Sequence, residues 1–223
     1  MTTDAMPQLR RSPAATPVGL IIALLLPLLT SPLVTHLLGT EPSSALFTAG
    51  LVIHWITFAL LLVIVLLWEH EPLRSIGWQT PRFTTLLAGI VAGILITAAS
   101  AFVVQRLGLS PDTHLVTFAQ SLPMATRVIL VITAGVFEET MYRGYGIERL
   151  SPYVGGKWVA AAITLALFTL AHLWAVGAAH LPPILIVGSL VTLLYLWRRD
   201  LLLNMLAHAT IDAIALLVIP ALR

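Results

Sequence analysis

Long apolar runs, separated by short polar stretches, dominate the pattern of hydrophobic and polar positions along this chain. A helix needs roughly 20 predominantly apolar residues to cross the hydrocarbon core of a bilayer, and these runs have about that length. We therefore predict an all-α, polytopic membrane helical bundle with about seven transmembrane helices, or eight if the long second run is broken. The predicted spans are 17–38, 44–68, 84–105, 124–142, 158–175, 182–197 and 201–219.

The polar N-terminus and the loop charges predict the domain organisation and the orientation. Residues 1–16 form a polar tail, and residues 17–223 form a single transmembrane helical domain with its candidate catalytic core at 124–219. With the N-terminus inside, nine of the twelve Lys and Arg residues fall on the cytoplasmic side. The positive-inside rule therefore favours a cytoplasmic tail and an outside C-terminus, although an eighth helix would move the C-terminus inside.

The composition agrees with a membrane protein and argues against several other classes. Hydrophobic residues make up 58% of the chain and charged residues 10%, whereas a soluble domain carries about a quarter charged residues. Because there is no cysteine, disulfides and thiolate metal sites are excluded. The pI of 9.4 does not indicate nucleic-acid binding, because the cations fall in short loops and form no basic stripe.

Several ionisable side chains lie within the predicted spans, where the bilayer disfavours them. Each costs a few kcal/mol or more in hydrocarbon, which makes intramembrane ionisable residues candidates for a functional site. The spans contain three of the ten acidic residues, and two histidines accompany them on later helices. These candidates are Glu138, Glu139, His172, His208 and Asp212.

Helical spacing separates the two adjacent glutamates. Glu139 and Arg143 are four residues apart, so they share a helix face and can pair. Glu138 is turned about 100° from that face and is free to face a cavity. His208 and Asp212 are also four apart and present two polar groups together. This spacing predicts a structural role for the Glu139–Arg143 pair and a different role for Glu138.

Simpler structural interpretations exist for the same residues. A buried Glu–Arg pair can serve only to join helices, and a lone intramembrane histidine is more often an interhelical hydrogen-bonding residue than a ligand. We interpret His54, which is alone in an apolar span, in that second way.

Glu138 reaches a depth in the membrane similar to that of His172 only if its helix continues to about Leu150.

Three sequence blocks carry a resemblance to a known family. They are EETMYR at 138–143, FTLAH at 168–172 and HATID at 208–212, in that order along the chain. The chain resembles the CPBP family of intramembrane proteases, which includes CAAX proteases, bacteriocin-processing enzymes and relatives of the Ras-converting endoprotease. The family signature is EExxxR, then FxxxH, then HxxxN or HxxxD. Here the last block ends in Asp212, where the better-studied members carry asparagine.

The resemblance implies peptide-bond hydrolysis within a prokaryotic inner membrane, on a membrane-associated peptide or protein. Glu138 would activate water as general base, with His172 as its partner. His208 would donate to the oxyanion, with Asp212 orienting it, while Glu139 and Arg143 would hold the catalytic helix. The resemblance does not specify the substrate or the oligomeric state.

The resemblance also raises a possible Zn²⁺ cofactor. Glu138, His172 and His208 would suffice as three ligands of a catalytic zinc ion. There is no HExxH pair in the sequence, however, and a metal-free glutamate mechanism uses the same residues. Both mechanisms stay open at this point.

Three other functions compete with a protease. A transporter or proton relay also carries intramembrane acids and histidines, but such proteins often have internal repeats, and none is evident here. A non-catalytic membrane protein of the bacteriocin-immunity type would use the polar residues only to lock the bundle. A haem protein with His172 and His208 as axial ligands would leave Glu138 unexplained.

Overall fold

Helices account for all the regular secondary structure in residues 13–39, 43–109 and 113–222, which are the residues that this computed structural model describes. Within those ranges there is no β-strand. The principal helices are α1 (Ala15–Leu38), α2 (Ser44–Trp68), α3 (Phe83–Arg106), α4 (Thr113–Ser121), α5 (124–150), α6 (Lys157–Val176), α7 (Ala178–Arg198) and α8 (Leu201–Ala221). Residues 1–12 of the predicted tail lie outside the described residues.

The prediction of an all-α bundle with about seven spanning helices is confirmed. Six helices in the described ranges are long and apolar enough to cross a membrane, namely all of the principal helices except α4 and α5. Helix α5 is more polar, but at 1.5 Å per residue it is about 40 Å long. It continues past the predicted end at 142 as far as Leu150, as the depth of Glu138 requires. Helix α4 was not predicted, because it is too short to span a bilayer.

Helix α8 packs closely against α3 through two glycines. A Cβ atom on Gly93 would lie 2.6 Å from the carbonyl oxygen of Ala207, and one on Gly89 would lie 2.9 Å from that of Leu203. Small residues four apart allow helix backbones in membranes to approach this closely. The contact places the polar face of α8 in the interior of the bundle.

Helix α5 widens where its polar residues begin. The segment Glu139–Ile147 has the i→i+5 hydrogen bonding of a π-helix, and all nine of its residues are buried. Gly135, just before this segment, approaches α8, since a Cβ atom there would lie 2.9 Å from the carbonyl oxygen of Met205. Segments of π-helix inside α-helices occur frequently at functional sites.

Two glutamates at helix ends fix the C-terminal end of α5. Glu69, after α2, accepts hydrogen bonds from Tyr145 at 2.8 Å and from Arg149 at 2.8 Å. Glu148 pairs with Arg199 at 2.6 Å and with Lys157 at 3.3 Å. Because these contacts join α5 to its neighbours at one end of the bundle, they also fix the depth of the polar residues further along α5.

Candidate active site

The candidate site lies where α5 and α8 face each other. The Nδ1 atom of His208 is 2.7 Å from Oε1 of Glu139, and its Nε2 atom is 3.7 Å from Oε2 of Glu138. That same Nε2 atom is 3.7 Å from Oδ2 of Asp212. The structure therefore groups three of the predicted acidic residues around the ring of His208.

Glu139 is the buried centre of a hydrogen-bond network. Its side chain is fully buried, and Oε1 accepts from Nη1 of Arg143 at 3.1 Å as well as from His208. Its other oxygen, Oε2, accepts from Nδ2 of Asn204 at 3.1 Å. These three donors and the complete burial of the side chain hold Glu139 in place and separate it from solvent.

Arg143 extends the network to α7 and α6. Its guanidinium donates to the carbonyl oxygen of Gly188 at 3.2 Å and to the hydroxyl of Thr192 at 3.3 Å. It also lies over the ring of Phe168, with 4.3 Å between the guanidinium carbon and the ring centroid. The ion pair with Glu139, which the four-residue spacing predicts, is thus one of four contacts described for Arg143. Together these contacts join α5, α6 and α7.

Asn204 is a site residue that the sequence reasoning missed. Besides contacting Glu139, its amide donates to the carbonyl oxygen of Val191 at 2.9 Å, and the residue is fully buried. Asn204 stands four residues before His208, just as Asp212 stands four residues after it. That repeat of polar residues along one helix face was the signal that could have identified it.

Glu138 is more accessible than Glu139. Its side chain is 18% exposed, and 3.7 Å to Nε2 of His208 is too long for a direct hydrogen bond. A gap of this size between two polar groups suits one bridging water molecule. Because Nδ1 of His208 donates to Glu139, Nε2 is the ring atom directed towards Glu138 and Asp212.

His172 is held at a break in α6. The regular helix ends at Ala171, and the backbone nitrogen of His172 donates to Thr169, which leaves the carbonyl oxygen of Phe168 free. That oxygen lies 2.9 Å from Nδ1 of His172 and can only accept, so Nδ1 carries the proton. In the neutral ring the lone pair is then on Nε2. His172 lies close enough to Asp212 for their charges to interact.

Tyr142 links the helix of Glu138 to the helix of His172. Its ring packs edge-on against Phe168, with 5.3 Å between centroids, and Phe168 in turn packs against His172 at 4.8 Å. The Tyr142 hydroxyl is buried and has no hydrogen-bond partner among the described residues. It lies close enough to Glu138 to interact with its charge.

The suggested zinc ligands do not form a metal site as placed. In the described part of the chain, no three His, Cys, Asp or Glu side chains lie close enough together to hold one ion. This applies to Glu138, His172 and His208, the set that the sequence suggested.

Comparison with known families assigns this part of the chain. Residues 120–214 match the family model described as Rce1-like, type II CAAX prenyl endopeptidase. This part of the chain is similar to the CPBP family of CAAX proteases, and the match supports that family for the chain. It covers α5, α6, α7 and most of α8, and therefore every residue of the three signature blocks, while helices α1 to α3 lie outside it. Neither the curated proteins nor the solved structures gave a match.

The match over residues 120–214 indicates the general class of activity. It supports intramembrane proteolysis, which implies the lipid bilayer and a membrane-associated substrate as partners. It assigns no individual role to Glu138, His172, His208 or Asp212.

Proposed function

We propose that this CPBP protein hydrolyses a peptide bond of a membrane-associated peptide or protein, using water activated by Glu138. The observation that carries the proposal is the arrangement around His208. One ring nitrogen donates to the buried carboxylate of Glu139, and the other lies 3.7 Å from the accessible carboxylate of Glu138. One glutamate is therefore fully engaged in positioning, and the adjacent one is available for chemistry.

The first step is attack of water on the scissile carbonyl carbon. Oε2 of Glu138 accepts one proton of the water as the new carbon–oxygen bond forms, as a general base does. The lone pair on Nε2 of His172 accepts a hydrogen bond from the second water proton and so orients the nucleophile. The hydrogen bond from its Nδ1 to Phe168 keeps this tautomer in place.

The negative charge that develops on the carbonyl oxygen needs a donor. We assign this role to His208 in its doubly protonated form, donating from Nε2, because Nδ1 is already bonded to Glu139. Asp212, with Oδ2 at 3.7 Å from the same nitrogen, balances the charge of that ring. When the carbon–nitrogen bond breaks, Glu138 returns its proton to the leaving amine, and the carboxylate is restored.

The position of the site restricts the substrate to one within reach of the bilayer interior. Glu138 lies twelve residues from the Leu150 end of α5, which is roughly 18 Å along the helix axis. A soluble, folded protein cannot present a peptide bond at that depth, whereas an extended membrane-anchored tail can. Because no described residue specifies a prenylated cysteine, the experiment must sample prenylated and unmodified substrates alike.

The test compares protein termini in membranes of cells that express the wild type or the Glu138→Gln variant at equal levels. We expect a set of new N- and C-termini in membrane proteins with the wild type and their loss with the variant. A Glu138→Asp variant, which keeps the carboxylate but shortens the side chain, should give a partial signal. Identical termini in all three strains would overturn the proposal, and proton flux through reconstituted liposomes would then support the relay alternative.

A further inference from the structure

His54 is an intramembrane histidine that the three signature blocks do not include. It lies near the middle of α2, outside the matched residues 120–214. Its ring stacks on Phe137 with 4.2 Å between centroids and 26° between the ring planes. Phe137 immediately precedes Glu138 on α5, so α2 brings an imidazole against the segment that carries the proposed base.

The interpretation of His54 as an interhelical hydrogen-bonding residue does not match its contacts. Among the residues that the structure describes, no protein group hydrogen-bonds the ring, which contacts α5 by stacking. It is nevertheless close enough for its charge to interact with both Glu138 and His172. A partly buried imidazole whose ring nitrogens bond no described protein group can hydrogen-bond water.

We propose that His54 is a positioning residue of the active site, which orients Glu138 and its water from α2. This inference rests on the proposed role of Glu138. His208 constrains the carboxylate from α8, and His54 would constrain it from α2 through a shared water molecule. The stack on Phe137 restricts the plane of the ring. Helix α2 thereby contributes to catalysis although the family match does not cover it.

Two substitutions separate the ring nitrogens of His54 from its packing. His54→Phe keeps an aromatic ring on Phe137 but removes both nitrogens, and His54→Gln restores a hydrogen-bonding group without the stack. The substrate is a synthetic peptide with the sequence around a site that is cleaved in wild-type cells and not in Glu138→Gln cells. The peptide and the enzyme are reconstituted together in liposomes. We expect His54→Phe to lower kcat roughly 10- to 100-fold, because the water held by Glu138 would be less well oriented. KM should be nearly unchanged. His54→Gln should recover part of the loss.

Controls distinguish a failure of this inference from a failure of the proposed function. His36→Phe makes the same change at an exposed position on α1 and should leave kcat unchanged. Full activity of His54→Phe together with an inactive Glu138→Gln would overturn the role of His54 alone. Full activity of Glu138→Gln would instead overturn the proposed function. A lowered Tm and lower activity in His54→Gln, with both normal in His54→Phe, would mean that His54 only packs.

A second measurement needs no substrate. In protein labelled with ¹⁵N-histidine, the ring signals of His54 are assigned by their loss in His54→Phe. If His54 and Glu138 share a water molecule, Glu138→Gln should shift the His54 ring signals and leave those of His36 in place. Unchanged His54 signals would contradict the inference whatever the protease assay gives.

Discussion

The same substitution at two adjacent positions, Glu138→Gln and Glu139→Gln, should have different effects on the stability of the protein. The oxygens of Glu139 accept three hydrogen bonds, from Arg143, His208 and Asn204, in a fully buried site. Glutamine has one accepting oxygen and one donating amino group, so at least one of these donors would face another donor. The charge of Arg143, which is also buried, would lose its counter-ion.

The magnitude follows from the buried pair. Removing one partner of a buried salt bridge typically costs about 3–5 kcal/mol, against a total stability of roughly 5–15 kcal/mol for a folded domain. Glu139→Gln should therefore lose a large part of the free energy of unfolding. Glu138 makes no direct hydrogen bond to another described residue and is partly exposed, so Glu138→Gln should change stability by less than about 1 kcal/mol.

The assay is unfolding in detergent, followed by tryptophan fluorescence, for the wild type and both variants. We expect the Tm of Glu138→Gln to match the wild type while protease activity is lost. Glu139→Gln should unfold at a clearly lower temperature and yield less folded protein. If the two variants unfold within about 1 kcal/mol of each other, the division of roles between these glutamates is refuted.

Three further results are expected. Tyr142→Phe removes a buried hydroxyl that has no partner in the described structure, so the free energy of unfolding should stay the same or rise by up to about 1–3 kcal/mol. A lower Tm than that of the wild type would contradict this. Gly93→Ala should destabilise the protein by about 1–3 kcal/mol, because its Cβ would meet the Ala207 carbonyl, whereas Gly50→Ala, with open space around it, should not. Elemental analysis of purified protein should find less than one zinc ion per chain, and the zinc content of His172→Ala should be the same as that of the wild type. One zinc ion per chain in the wild type, lost in His172→Ala, would require a metal mechanism.

Local spacing along a helix was readable from the sequence, and contacts between helices were not. The bilayer fixes helix length and apolar composition, so the spans could be predicted, and the contact between Glu139 and Arg143 needs only a spacing of four. The same reasoning paired His208 with Asp212, but the closer contact of His208 is with Glu139, on a different helix. The stack of His54 on Phe137 could not be predicted for the same reason, because Phe137 is on α5.

The adjacent glutamates are best understood through the different surroundings of two neighbouring positions on α5. One position faces α8, where three donors, one of them the buried Arg143, make a carboxylate the best-matched side chain. The next position, about 100° around the helix, faces the accessible side, where a carboxylate 3.7 Å from His208 can hold water. Because Glu139 also fixes the ring of His208, the stabilising and the reactive residues share one histidine. A destabilised Glu139 variant should therefore lose activity even in its folded fraction, which a purely structural role for Glu139 would not produce.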